Sequence, residues 1–411
     1  MEPTTTAPTT TAPLPTADAT PTVHAPAAGG HPGGHPGGHP GGHPGSIDGI
    51  LPAGSVRPTG YVFGRTPMMV YWEMTRSCGL ACRHCRAEAL DQRDPNELTT
   101  AEGETLLDRI LGFGNPLPHV VFTGGDPLRR PDLGHLVTAA RARGIGASLA
   151  PAATPELTPE ALHRMKAAGV QNISLSLDGS SPERHDGFRG VPGTFDLTVR
   201  AAGWAQDAGL PVQLNTLVTN ETLEDLPAVY ELCPSLGIMR WSLFFLISIG
   251  RGSVLKEITP AESEQLMLWL HSIAGEAPFQ VKTTEATHYR RIAIREMENA
   301  GMDDAAIAAT SVGRGFGIRD GNGIMFVSHD GDIYPSGFLP LVAGNVRRDD
   351  IVSVYRDSET FRSLRDVTLL KGRCGRCSYR DRCGGSRARA YAWTGDALES
   401  DPLCPYVPPV A

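Results

Sequence analysis

From about residue 66, short apolar runs alternate with stretches whose apolar residues recur at helical spacing. The runs predict strands over 68–75, 119–123, 147–150, 172–177, 212–218 and 241–246. Helical spacing predicts helices over 101–111, 133–143, 159–168, 195–208 and 223–233. Capping chemistry marks several helix starts. Thr99 with Glu102 makes a capping box, Thr158 precedes Pro159 at a first helical position, and Thr259, Pro260 and Glu262 combine both devices. Six strand–helix units in succession imply an α/β fold, a parallel sheet with right-handed crossovers curled into a full or partial barrel. In such a sheet, chemistry sits where the C-terminal ends of the strands meet the following loops.

Beyond about residue 290 the alternation stops. Residues 323–327 and 331–334 predict a hairpin turning at His329-Asp330-Gly331, followed by helix near 351–364 and a loop-rich, cysteine-bearing segment. The pattern divides the chain into a core over 65–290 and a smaller domain over 291–411. Residues 1–64 are different in kind. Thr, Ala and Pro give way to Gly-Gly-His-Pro repeats carrying His31, His35, His39 and His43, a composition that cannot offset the entropy of ordering. They predict a disordered tail, either a plain linker or a loose divalent-metal binder.

Charge and hydropathy narrow the partners. The 411 residues carry a net charge of −8 with no basic stripe, which argues against nucleic acid. No apolar stretch approaches the eighteen or so residues that cross a bilayer, and the first residues lack the basic and apolar regions of a secretory signal. The expected location is the reducing cytoplasm. There, eight cysteines with three packed into residues 78–85 and four in the last forty point to metal ligation rather than disulfides. Cys233 stands alone and reads as a buried structural thiol.

The first predicted strand runs into Cys78-Gly79-Leu80-Ala81-Cys82-Arg83-His84-Cys85. A [4Fe–4S] cube ordinarily takes four thiolates, and this loop supplies three, which leaves one iron open. An open coordination position is what a catalytic metal needs. A structural zinc knuckle is the alternative, but it requires a fourth protein ligand, and His84 inside the loop could serve only with strain. This Cys-x3-Cys-x2-Cys spacing, with an aromatic-type residue before the last cysteine, resembles the signature of the radical S-adenosylmethionine (SAM) superfamily.

The resemblance implies a partial (βα)6 barrel of the TIM type with a smaller C-terminal iron–sulfur domain. It also implies that SAM chelates the open iron and is reductively cleaved to a 5′-deoxyadenosyl radical, with His84 near the adenine. Later strand ends extend it. Thr123-Gly124-Gly125-Asp126-Pro127 resembles the family's Gly-Gly-Glu stretch, its glycines allowing close backbone approach to the ligand and Asp126 replacing the usual Glu. Ser174-Leu175-Ser176-Leu177-Asp178 resembles the stretch that contacts ribose and carboxylate, which nominates Ser176 and Asp178. Arg189 is a candidate bidentate carboxylate partner or else a surface arginine. Asn215 is a further candidate contact or else a strand-end hydrogen bond.

Near the C-terminus, Cys374, Cys377, Cys383 and Cys404 can close a second [4Fe–4S] cube suited to electron transfer, or a four-cysteine zinc site. The segment resembles the SPASM/twitch extensions that bind auxiliary clusters. The run from Gly331 to Pro335 resembles the start of that extension, with Ser336 where full versions place a cysteine, which implies one auxiliary cluster. Residues 383–391 are similar to the branch containing haem d1 and alternative haem biosynthesis enzymes, and the same branch contains peptide-modifying enzymes. The expected substrate is therefore a tetrapyrrole side chain or a peptide, and the expected reductant a low-potential donor such as flavodoxin or ferredoxin. Arg387 and Arg389 either pair with substrate carboxylates or hold the surrounding chain. A non-catalytic iron–sulfur or zinc protein, acting as sensor or electron carrier, is the rival reading.

Overall fold

The computed structural model describes residues 60–409, so the tail reading over 1–59 lies outside the described residues. Ten strands are described: β1 (Met69–Glu73), β2 (His119–Thr123), β3 (Gly146–Leu149), β4 (Asn172–Ser176), β5 (Val212–Val218), β6 (Arg240–Phe245), β7 (Gln280–Thr284), β8 (Ile324–Val327), β9 (Asp332–Tyr334) and β10 (Gly344–Asn345). They form one sheet in the order β10-β9-β8-β1-β2-β3-β4-β5-β6-β7. Pairing is parallel from β8 through β7 and antiparallel at β8–β9 and β9–β10. β7 and β10 are its two edges, so the barrel is partial, as the sequence implied.

The six expected strands appear within two residues of their expected ends. A seventh parallel strand, β7, adds an element the apolar pattern did not mark. The expected hairpin is also present as β8 and β9, with Gly331 N donating to Ser328 O at 3.0 Å in its turn. Its first strand runs alongside β1, Met69 opposite Ile324, so the C-terminal third extends the same sheet.

Helices form where caps and periodicity placed them. Thr99 and Thr259 each complete a capping box, and Thr158 caps Pro159–Ala168. The stretch expected as one helix near 351–364 is two, Ile351–Asp357 and Glu359–Arg365, because Ser358 leaves helical geometry and caps the second. Pro182–Arg189 is a further helix, capped by Ser181, whose mostly polar residues gave no apolar period. Residues 60–64, assigned to the tail from composition, are tied to the fold. Tyr61 donates to Leu117 O at 2.7 Å, and Phe63 O accepts from Tyr355 at 2.5 Å.

Successive side chains on a strand point to opposite faces. Val70, Trp72, Leu214, Trp241 and Leu243 point to the face covered by helices and join one core with Leu106, Leu136 and Leu266. The inner face therefore carries Tyr71, Ser176, Asn215, Arg240, Ser242 and Lys282, a polar lining unlike the apolar core. No helix among the described residues is long and apolar enough to cross a membrane. Cys233 is buried, its thiol donating to Val229 O at 3.2 Å, as a structural thiol should.

Candidate active site

The loop after β1 is held open by pairing elsewhere. Cys78 N donates to Leu90 O at 2.9 Å, and Cys85 N closes back on Cys82 O at 3.4 Å. The thiols of Cys78, Cys82 and Cys85 are mutual neighbours, and burial pushes Cys78 up to about 11. A buried thiol gives up its proton on binding metal, so loading releases protons and weakens with acid. Leu80 N lies 3.4 Å from Cys78 Sγ, a backbone donor aimed at the sulfur.

The Gly-Gly-Asp stretch packs against this loop from β2. A side chain on Gly124 would meet Thr75 O at 2.5 Å, and one on Gly125 would meet Ser77 O at 2.5 Å and Arg76 O at 2.7 Å. The glycines therefore admit the close passage of the backbone leading to Cys78. Asp126 is fully buried. Its carboxylate accepts from Thr154 Oγ1 at 2.5 Å and Leu128 N at 3.1 Å, and burial raises its pKa. Expected among the SAM contacts, it is turned inward and shapes the loop instead.

Asp178 and Arg189 form one unit. Arg189 Nε and Nη2 lie 2.9 and 2.8 Å from Asp178 Oδ2, while Asp178 Oδ1 accepts from Leu217 N at 2.8 Å. Arg189 Nη1 reaches toward Cys82 Sγ at 3.9 Å. Arg189 is buried, so it is not a surface arginine, and the carboxylate it holds is Asp178's. Although burial works to raise it, Asp178 is kept below the usual range by Arg189 and the nearby imidazoles of His84 and His185.

His84 stacks on Phe188 with ring centroids 5.2 Å apart and planes 16° from parallel. Burial pushes its imidazole down to about 4, so the ring is neutral and works as a flat apolar surface. Ser176 and Asn215 stand opposite each other in the β4–β5 register on the inner face, and Asn215 Oδ1 accepts from Gln213 Nε2 at 2.8 Å.

Arg251 is the site residue that sequence reasoning missed. It follows β6 in Gly250-Arg251-Gly252, and its amide donates to Cys85 O at 3.0 Å. Gly250 has a φ of +54°, and a side chain there would meet Arg86 O at 2.2 Å, so this turn seats directly on the cysteine loop. Nε and Nη2 of Arg251 are buried without a partner beside Cys82 and His84. Two orphaned charged donors next to a three-cysteine loop fit an anionic group of a bound ligand. The available signal was a Gly-x-Gly turn at a strand's C-terminal end.

The other four cysteines also converge. Cys374, Cys377, Cys383 and Cys404 line one open pocket with His288, Arg291, Tyr379 and Tyr406. Cys374 Sγ receives Asp401 N at 3.4 Å and Arg387 Nη2 at 3.6 Å, and Cys383 Sγ receives Gly385 N at 3.5 Å. Donors aimed at sulfur in this way tune the potential of a cluster held on such sulfurs. Among the described residues, no three His, Cys, Asp or Glu gather as a site for a single metal ion.

Residues 72–233 match the model of the Radical SAM superfamily. The chain is similar to the AdoMet-dependent heme synthase of Nitratidesulfovibrio vulgaris, 39% identical over 349 residues that cover 84% of this chain and 93% of that one. It is also similar to the mycofactocin maturase MftC of Mycobacterium tuberculosis, 30% identical over 347 residues, 82% of this chain and 83% of that one. Among solved structures it resembles Streptococcus suis SuiB bound to its precursor peptide SuiA, with a TM-score of 0.66 and 19% identity over 83% of this chain and 76% of SuiB. That likeness concerns the fold alone. With the cysteine loop, the parallel sheet and relatives matched over nearly their full length, the chain belongs to the radical SAM superfamily of enzymes.

Proposed function

We propose that this radical SAM enzyme modifies side chains of a tetrapyrrole, and that Cys78, Cys82 and Cys85 ligate the [4Fe–4S] cluster at which it cleaves SAM. The observation that carries the cluster assignment is three neighbouring thiols on one loop beside the orphaned donors of Arg251. When bound at the open iron and reduced by one electron, SAM supplies the 5′-deoxyadenosyl radical that takes hydrogen from substrate. Arg251 is suited to hold the SAM carboxylate, the His84–Phe188 stack to bound the adenine, and Ser176 and Asn215 to meet the ribose. Backbone carbonyls at Gly124 and Gly125 are acceptors for its ammonium. Asp178 and Arg189 act by positioning the Cys82 loop, and Asp126 by shaping the turn.

Residues 65–290 form the catalytic core in this reading, and 291–411 hold an auxiliary [4Fe–4S] cluster on Cys374, Cys377, Cys383 and Cys404. Four thiols around one pocket, with amide and guanidinium donors on Cys374 and Cys383, suit an electron-transfer cube. None of the eight cysteines is in a disulfide, which suits a cytoplasmic enzyme served by a low-potential donor such as a flavodoxin or ferredoxin.

The tetrapyrrole reading rests on the 39% identity to a heme synthase over 93% of that protein. Anaerobically reconstituted protein, given dithionite and SAM, should release 5′-deoxyadenosine, and alanine at Cys78, Cys82 or Cys85 should abolish it. Mass spectrometry of an iron tetrapyrrole bearing propionate side chains should show side-chain loss. SAM cleavage that leaves every such tetrapyrrole unchanged would sink the substrate assignment and turn the search to peptides.

A further inference from the structure

The inner face of the sheet carries cations that no carboxylate among the described residues pairs with. Arg240 of β6 is 2% exposed, yet its guanidinium donates only to neutral amides: Nε and Nη2 to Gln280 Oε1 at 3.1 and 2.7 Å, and Nη1 to Gln213 Oε1 at 3.1 Å. Lys282 of β7 stands opposite Ser242, one inward position beyond Arg240 toward the C-terminal strand ends. Among the described residues its ammonium makes no ion pair or side-chain hydrogen bond. Lys282 is half-buried, and desolvation together with the nearby Arg240 and Arg290 presses it down to about 7. Arg290 follows β7 in the helix Tyr289–Asn299 and leaves Nη1 buried without a partner. Tyr71 of β1 faces Arg240 from across the sheet, and the carboxyl that acts on Tyr71, Glu285, is already engaged by Ser386 Oγ at 2.5 Å.

Burying an ion without a counter-ion is among the most costly arrangements a fold carries, and removing the charge would relieve it. Chains keep such groups where a ligand supplies the missing charge. We infer that Arg240 and Lys282 form a receptor for a carboxylate of the substrate on the inner face of the sheet. The guanidinium fork and the lysine point charge, flanked by the hydroxyls of Ser242 and Tyr71, suit a planar carboxylate. The inference rests on the tetrapyrrole reading and deepens it: carboxylate-bearing ring side chains are the groups this receptor holds.

The test is binding to the holoenzyme, with coproporphyrin III, which carries four propionates, and its tetramethyl ester as probes, followed by absorbance. Lys282→Met should weaken the acid by about tenfold to a hundredfold while binding the ester as the wild type does, and Lys282→Arg should restore the acid. Should iron content show that Lys282→Met fails to fold, Arg240→Gln takes its place with the same expected discrimination. Unchanged acid binding in the folded variant, or equal loss for acid and ester, overturns the receptor while leaving the tetrapyrrole reading intact. A wild type that binds neither probe overturns both.

Discussion

Arg389 Nε donates to Glu257 Oε2 at 2.7 Å across 132 residues of sequence, with the arginine fully buried. Arg389 lies in the helix Arg387–Thr394, just past Cys383, and Glu257 lies in the segment after β6 that also carries Arg251. The same guanidinium donates to Glu285 O at 2.7 Å, past the end of β7, and to Leu246 O at 3.0 Å, past the end of β6. One side chain therefore fastens the C-terminal cysteine segment to the strand ends where the first cysteine loop is seated. Arg387 is equally internal, donating to Ala397 O at 3.0 Å and Glu399 O at 2.7 Å. Of the two roles the sequence left open for these arginines, both serve the surrounding chain.

Arg389→Met should accordingly be destabilising by about 3–5 kcal/mol, because it leaves Glu257 and Asp401 buried with a lost partner. Urea unfolding of the holoprotein measures this. Lysine at 389 should recover only part of the loss, as it keeps the charge but cannot reach both carbonyls and the carboxylate at once. A loss below about 1 kcal/mol, the range of an exposed pair, would contradict the structural role.

His84 makes a different kind of prediction, since its value lies in shape rather than charge. The ring is neutral at pH 7, held down to about 4, and lies flat on Phe188. Phenylalanine or tyrosine should therefore preserve 5′-deoxyadenosine release to within a few-fold. Alanine removes the stacking surface and should cost about 1 kcal/mol or more in SAM binding, roughly fivefold or above. Equilibrium SAM binding across the four proteins separates the two outcomes.

The contrast between His84 and Arg251 also shows which parts of the molecule were legible beforehand. Cysteine clustering is visible along the chain, so both groups of proposed ligands could be picked out from the sequence, and the strand ends carrying Ser176, Asp178 and Asn215 followed from periodicity. Arg251 could not be read in the same way. Its meaning depends on the turn after β6 folding onto residues 85 and 86, a long-range contact whose one local trace is the Gly-x-Gly turn. β7 escaped for a related reason. Its inward residues Gln280, Lys282 and Thr284 are polar and only Val281 packs on the helix-covered core, so the strand lacks the apolar run that marked the others. The pairing of β8 with β1 was equally hidden, because local pattern places a hairpin but not its neighbour. Asp126 was misjudged because its position suggested a ligand while its carboxylate is consumed by Thr154 and Leu128.

Glu73 gives the fold a defined response to acid. It ends β1 with 4% exposure, and burial alone would raise its pKa. Arg86 Nη2 at 2.9 Å and His329 Nδ1 at 3.1 Å outweigh that and hold it down to about 2. A carboxyl depressed on folding contributes stability that is complete above its unfolded value near 4.5 and lost as pH falls toward 2. The amount is on the order of 3 kcal/mol. His329 runs the other way: burial opposes its charge but Glu73 prevails, so its contribution is present below about 6.5 and fades as pH rises through its raised pKa. Between pH 5 and pH 3 the wild type should lose about half of its stability advantage over Glu73→Gln. Paired thermal melts measure it, and a gap that stays constant over that range would reject the assignment.

The C-terminal cysteines carry the last prediction, which concerns metal removal. Cys374 and Cys377 flank the end of the helix Gly372–Arg376, Cys383 precedes the Gly384-Gly385 turn, and Cys404 comes from the closing segment near Tyr406. Three separate pieces of chain thus meet at one pocket whose lining includes Arg291 and Asp401. Where ligands come from separate segments, metal binding is also folding energy. Serine at Cys383 should drop iron from about eight atoms per chain to about four, the share of one cube. It should also expose the 372–404 region to limited proteolysis while leaving the sheet protected. Serine at Cys82 should remove the other four iron atoms without opening that region, because the first loop is pinned by β1 and the turn after β6. If the two losses are independent, the double variant carries no iron. A wild type with about four iron atoms and one zinc, the zinc lost with Cys383, would instead make the C-terminal site structural zinc and remove its role in electron transfer.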